Sequence, residues 1–383
     1  MNKKERLFRS IKLQNVDRIP TTYRGNDYIS KKLMNYFNIG SPDNLELNYK
    51  ELMNKLGCDF WSTGSKMGKF STFIPEYLGP EPEEPYVKDT NMFYTLGINS
   101  ALGEFKEYNV YYANIGVDPP LYDVDSASEL RKGFLTEKLD LFNFKSYRNR
   151  YDNNKLKYEI ICNDIDYVIT IGTLNNPFMI CSYLRGMDKF LMDLMINKEL
   201  AEFIIGEVSE LCIEFNKMEL EHFGNKAEYY GSWDDVADQN GLMLQPELFK
   251  KYFLPIYKKL IENVQKYELI YGWHCCGNVN EILPLMIESG IDVFDVVQTS
   301  ARDMDIDKIY KICVNKVCLH GAIDVQRVLA SGTPKEVENY VKKIINLWNN
   351  KGGIIIAPSH ETVPGTPLEN IIAIYQAVNL AYS

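Results

Sequence analysis

Short apolar runs rich in β-branched and aromatic residues recur along the C-terminal two-thirds of the chain, and a longer amphipathic stretch follows each one. They are YVITIG from Tyr167, AEYYGSW from Ala227, LIYGWHC from Leu269, DVFDVVQ from Asp292, KVCLHGAID from Lys316 and GIIIAPS from Gly353. Near-continuous apolar runs of this length read as strands buried on both faces. Between them, QPELFKKYFLPIYKKLIENVQKY and TPKEVENYVKKIINLWNN read as helices, each with Pro near the first turn, where a missing N–H costs little. Strand, helix and strand in repetition predict a parallel sheet with crossover helices. RIPTTYRG from Arg18 and DFWSTG from Asp59 bring the strands to eight. That count predicts an α/β fold, a single (β/α)8 barrel over residues 1–383. A doubly wound open sheet is the alternative, but no glycine-rich dinucleotide loop accompanies it.

Two segments fall outside the alternation. MNKKERLFRSIKLQNVDRIP reads as an N-terminal helix with Leu7, Phe8, Ile11 and Leu13 toward the core, and it lacks the apolar stretch of a signal peptide. Residues 65–160 are rich in Tyr, Pro, Gly and charge and read as an insertion over the barrel mouth, covering the site. A hydrophobic content of 45% suits a globular chain of 383 residues. A net charge of −10 argues against a nucleic-acid partner, which needs a cationic footprint. The eight cysteines are too sparse for a disulfide scaffold and predict free thiols in a cytoplasmic protein. No apolar run reaches the ~18 residues of a membrane span.

Barrel sites form where strands end. Those positions hold Arg24, Asn175 and Asn176, Asp234 and Asp235, His274 and Cys276, Gln298, Asp324, then Ser359, His360 and Glu361. The chain has four histidines, and the other two, His222 on a helix and His320 within a strand, read as structural. His274 and Cys276 are two apart, so an extended backbone aims both at one point while Cys275 faces away. Imidazole and thiolate are zinc donors, and a catalytic zinc keeps three protein ligands and one open position. His360, at the end of the last strand, is the candidate third donor, with Glu361 or the aspartate pair as a fourth or as its support. The bland alternatives are a core histidine beside a small cysteine, and a helix N-cap for the paired aspartates.

Six blocks in order resemble the uroporphyrinogen decarboxylase superfamily: RLFRSIKLQNVDRIP, NNPFMICSYLRGMDKFLMDL, LQPELFKKYFLPIYKKL, WHCCGNVNEILPLMIESGIDVFDVVQ, LHGAIDVQRVLASGTPKEV and GGIIIAPSHETVPGTPLENIIAIYQA. Within it, the chain is most similar to the zinc-containing, cobalamin-dependent methyltransferase branch. The resemblance implies a (β/α)8 barrel, zinc on His274, Cys276 and His360, and methyl transfer between a corrinoid (methylcobalamin, on a carrier protein) and a small thiol, oxygen or folate-type substrate. It leaves room for a homodimer. That branch has a cysteine where this chain has His360. One thiolate with two neutral imidazoles leaves the ion about +1, a stronger Lewis acid but a poorer activator of a thiolate, so the substrate need not be coenzyme M.

Asp234 or Asp235, by position, is the candidate general acid/base, substrate anchor or partner of a metal-bound His, and Tyr183, in CSYLRG, matches the tyrosine that the decarboxylase branch is expected to use in its pocket. Arg24, Asn175, Gln298 and Glu361 are the substrate-contact candidates. The decarboxylase branch fits less well. Its arginine-rich element is replaced by TTYRGNDY, leaving Arg24 to meet several carboxylates, and a buried unpaired charge is costly. The alternative functions are a lyase of a smaller acid using Arg24, Asp235 and Tyr183, and a non-enzymatic corrinoid or metallophore binder.

Overall fold

The computed structural model describes residues 1–40, 45–61, 70–78, 102–105, 110–113, 119–149, 168–172 and 175–382. The strands are β1 Thr22–Tyr23, β2 Phe60–Trp61, β3 Phe70–Tyr77, β4 Leu102–Phe105, β5 Val110–Ala113 and β6 Phe142–Asn149. They continue as β7 Val168–Ile171, β8 Tyr229–Trp233, β9 Ile270–His274, β10 Val293–Val297, β11 Cys318–Ile323 and β12 Ile354–Pro358. The main sheet runs β12-β11-β10-β9-β8-β7-β3-β6. It is parallel from β12 to β3, and β6 closes that edge antiparallel. β1 pairs with β2, and bridges Thr21↔Ile356 and Gly25↔Thr362 set this pair beside β12. The architecture is α/β with an arc of parallel strands.

All eight expected strands are present, and β3 joins them. Its run FSTFIPEY carries Pro75, which ordinarily demotes a strand because proline gives no ladder N–H. Here only Phe70–Thr72 pair with β7, and Pro75 sits where the register against β6 shifts, so the missing donor falls at a bulge. The segment 65–160 is therefore not wholly outside the sheet. The expected cover over the site falls mostly on residues 79–101 and 150–167, which lie outside the described residues.

The period-two alternation of the strands builds the site in layers. Val168, Ile270, Val293, Cys318 and Ile355 form one apolar layer, and the helix Lys3–Ile11 packs Leu7 and Ile11 against it, with Phe8 and Leu13 at its margin. Ser10 Oγ donates to the Ile354 carbonyl at 2.8 Å and ties the helix to β12. Two residues further along, on the same strand faces, come Gly272, Asp295 and His320, and His274 follows Gly272. The intervening Tyr271, Trp273 and Phe294 belong to the larger core beneath the helices. Thus one face of β9 to β11 passes from hydrocarbon to chemistry within a single strand length. A Cβ on Gly272 would collide with the Tyr229 hydroxyl, so glycine there makes room for a large neighbour.

Helices follow the strands in alternation, among them Pro177–Arg185, Lys198–Phe223, Leu254–Gln265, Ile306–Cys313, Pro334–Trp348 and Leu368–Ala381. Pro334–Trp348 begins with a Thr333/Glu336 capping box and ends at Asn349 in the left-handed region. The expected helix from Gln245 is interrupted by a wide π turn over Phe249–Phe253, next to Pro255, whose ring and missing N–H break the regular ladder. Among the described residues, no helix is long and apolar enough to cross a membrane.

Candidate metal centre

His274 ends β9, and Cys276 lies two residues beyond the strand end. His274 Nε2 lies 3.4 Å from Cys276 Sγ. Tetrahedral zinc with ordinary Zn–N and Zn–S bonds separates its two donors by about 3.6 Å. The pair thus stands close to the spacing that a shared ion needs. Asp235 completes the group: one ligand atom each from Asp235, His274 and Cys276 lie within 4.8 Å of one another. The Cys276 backbone N–H donates to Asp235 Oδ1 at 2.7 Å, which fixes both residues. Two borderline-soft donors and a carboxylate suit a divalent ion such as zinc.

His360 lies outside that tight group and is exposed, yet it is near enough to interact with the Cys276 thiol. Glu361 is next to it at the rim, and its charge acts on His360. Cys275 faces the other way into the core, where its sulfur accepts from Val236 N.

The charge states fit a metal-binding thiol. Burial opposes ionisation of Cys276, but His274 and His360 outweigh it and lower the thiol's pKa. Burial likewise opposes the His274 imidazolium, yet the Asp295 carboxylate and Cys276 hold it well above its usual range. The interaction with Cys276 raises His360. These shifts all run toward proton-bearing imidazoles and an ionised sulfur, and a metal ion would compete with those protons for the same donor atoms.

Asp295, on β10, is the residue that the sequence reading passed over. Its Oδ2 accepts from His274 Nδ1 at 2.5 Å, and its Oδ1 pairs with Arg24 Nη2 and lies 3.1 Å from His320 Nδ1. His320 Nε2 contacts Thr22 Oγ1 at 2.7 Å. Burial would raise Asp295, but Arg24, His274 and His320 together hold it well below the carboxylate range. Burial first, and then Arg24, lower His320. His320 thus belongs to the site's support and is not an isolated core histidine. The one available signal was an acidic residue inside the apolar run DVFDVVQ. His222 does sit apart, with Nδ1 bonded to Met218 O at 2.9 Å and its ring near Phe144.

The remaining candidates divide clearly. Asp234 is fully buried and accepts from Phe178 N at 2.9 Å, Met179 N at 2.8 Å and the Tyr257 hydroxyl. It caps the helix Pro177–Arg185 from the neighbouring strand end, whereas the bland reading had the pair cap a helix of their own. Burial pushes its pKa up to about 7 against those donors. Tyr183 is half-buried on the same helix, and burial with the charges of Asp234 and Asp235 pushes it up to about 12. Arg24 is buried and committed to Asp295. Asn175 is buried and donates to the Gly231 carbonyl. Gln298 accepts from Gly277 N at 2.7 Å and so holds the turn after Cys276. Asp324 caps its own turn through Gln326 N and Arg327 N.

A parallel α/β sheet with thiol, imidazole and carboxylate donors converging at its strand ends defines a protein of the strand-end active-site class, with a donor set that fits a metal. Residues 158–380 match the family "Uroporphyrinogen decarboxylase (URO-D)", more than half of the chain, and the chain belongs to that family. It is 23% identical over 209 residues to the methylated-thiol–coenzyme M methyltransferase of Methanosarcina mazei, covering 54% of this chain and 52% of that one. It is 24% identical over 201 residues to the methylcobamide:CoM methyltransferase MtbA of Methanosarcina acetivorans, covering 52% and 55%. With MtaA of Methanosarcina barkeri the identity is 25% over 217 residues, covering 56% and 58%. The chain spans about half the length of the curated relatives it matches. A solved methyltransferase from Methanosarcina mazei has the same fold, with a TM-score of 0.62 at 20% identity over 100% of both chains.

Proposed function

We propose that this chain is a corrinoid-dependent methyltransferase that moves a methyl group between a methylcobamide and a small thiol, with zinc held at the strand ends. The carrying observation is the His274–Cys276 pair at 3.4 Å with Asp235 in the same cluster. The relatives' names supply the reaction class: they act on methylcobamide, methylated thiols and coenzyme M. In this reading the parallel arc closes as a (β/α)8 barrel, and the corrinoid arrives on a separate carrier protein.

His274, Cys276 and Asp235 would hold the ion, with His360 completing or exchanging at the set. When bound, zinc supplies a Lewis acid that keeps a thiol ionised at neutral pH. Asp235 alters the charge balance considered for the set with His360. One thiolate and one carboxylate carry two negative charges, the same as two thiolates, so the case for a non-thiol substrate loses its footing. Tyr183, half-buried beside both aspartates, keeps its proton at neutral pH and can donate a hydrogen bond toward the site. Arg24 is paired with Asp295 and is a poor anchor for a substrate carboxylate, which weighs against the lyase reading.

The test is metal analysis followed by turnover. Purified protein is expected to hold one zinc per chain, with Cys276→Ser and His274→Ala losing it. Wild type is then assayed for methylcobalamin demethylation with a panel of thiols, phenols and a folate, and thiol-dependent, zinc-dependent turnover is expected. A metal-free protein, or turnover indifferent to both zinc and thiol, would overturn the reading.

A further inference from the structure

We infer that Asp295 is the positioning residue of the metal centre, holding His274 in the tautomer whose Nε2 faces the ion, and that Arg24 and His320 serve to fix Asp295 and do not touch substrate. This rests on the metal reading above and adds to it a function for three residues that no ligand need touch.

The two carboxylate oxygens do different work. Oδ2 faces His274 Nδ1 at 2.5 Å, so that nitrogen carries a hydrogen, and Nε2, on the Cys276 side, is the nitrogen left to give its lone pair to an ion. Oδ1 faces Arg24 Nη2 and His320 Nδ1 on the opposite side. The strand register makes this arrangement: Asp295 stands level with His274 on β9 and with His320 on β11. Thr22 Oγ1, from β1, closes the chain on His320 Nε2 at 2.7 Å. Four strands therefore contribute to the orientation of one imidazole. Asp295, Arg24 and His320 are each less than 10% exposed, so water cannot take over these bonds.

This geometry makes Asp295→Asn a sharp test. An asparagine has the same shape but only one acceptor oxygen. If that oxygen meets Arg24, the amide NH2 faces His274 and favours hydrogen on Nε2, where the metal should bind. If it meets His274, the NH2 confronts Arg24. Either arrangement spoils a contact that the carboxylate satisfies.

Metal-free full-length chains, wild type and Asp295→Asn, are titrated with Co2+, and zinc affinity is measured by competition with a chromophoric chelator. We expect zinc affinity to fall roughly 10- to 100-fold in Asp295→Asn, and the ligand-field bands of the cobalt form to change in shape, which a purely structural residue would not cause. Thermal unfolding of the metal-free chains monitors folding. If Asp295→Asn does not fold, Arg24→Gln, which keeps the carboxylate but removes its guanidinium partner, takes its place with the same spectral change expected. Unchanged affinity and spectrum in whichever variant folds would overturn the inference. A wild-type chain that binds neither ion would overturn the metal reading itself, and this inference with it.

Discussion

Asp234 and Asp235 are adjacent in sequence and serve different structures: Asp234 accepts two backbone N–H groups of the helix Pro177–Arg185, and Asp235 accepts the backbone N–H of Cys276. Removing them should have separable effects. Asp234→Ala strands two helix N–H groups and the buried Tyr257 hydroxyl, with an expected loss of about 2–4 kcal/mol in urea unfolding. Asp235→Ala affects a half-buried group and should cost about 1 kcal/mol, while weakening zinc by roughly 10-fold or more. Chelator competition and denaturation on the same two variants check this. If Asp234→Ala lost zinc affinity while keeping wild-type stability, the division of labour would be wrong.

The cysteines should separate by reactivity. In the metal-free protein Cys276 is half-buried and its pKa is lowered, whereas burial raises Cys58, Cys181, Cys212, Cys275, Cys313 and Cys318. Thiolate, not thiol, attacks iodoacetamide. At about pH 7, brief alkylation followed by peptide mass spectrometry should label Cys276 ahead of these six, and added zinc should protect it. Equal labelling of Cys275, or no protection by zinc, would contradict the assignment.

The strands were legible in the sequence because each is an apolar run bounded by polar strand ends, and the same boundaries exposed His274, Cys276 and Asp235. The support behind them was not. Asp295 and His320 lie in mid-strand, and their meaning depends on register between β9, β10 and β11. That register is set by packing of the whole sheet, and no local spacing encodes it. For the same reason the pairing of Arg24, a strand-end residue, with mid-strand Asp295 has no local signature in the sequence. β3 was missed because Pro75 masks it until the bulge against β6 is known.

Gly272 offers a test of the layered interior. It lies between the apolar Ile270 and His274 on one strand face, and the Tyr229 ring fills the space its missing side chain leaves. Gly272→Ala must displace that ring within a close-packed interior, at an expected cost of about 1–3 kcal/mol. Tyr229 feels the Asp295 charge, so the displacement should also reach the site. Urea unfolding together with the cobalt spectrum measures both. A neutral substitution would mean that the layer is looser than the packing indicates.

Acid should weaken the anchor of the N-terminal helix. Arg6 Nε donates to Asp17 Oδ1 at 2.6 Å and Nη2 to Oδ2 at 2.8 Å, and Nη1 reaches the buried Asp59 at 2.5 Å. The Arg6 hydrogen bond, opposed by burial and aided by the Arg6 charge, holds Asp17 well below the usual carboxylate range. A folded-state pKa below the unfolded one, roughly 3.9, means that the ion pair stabilises fully above that value and is lost as pH falls toward the folded pKa. The Asp17 side chain is 41% exposed, and solvent screening limits its contribution, so Asp17→Asn should cost no more than about 1 kcal/mol at neutral pH. The gap between wild type and variant in urea unfolding should be the same at about pH 7 and pH 5 and should shrink below about pH 4. A gap that widens in acid would reverse the sign of the argument and remove Asp17 from the anchor.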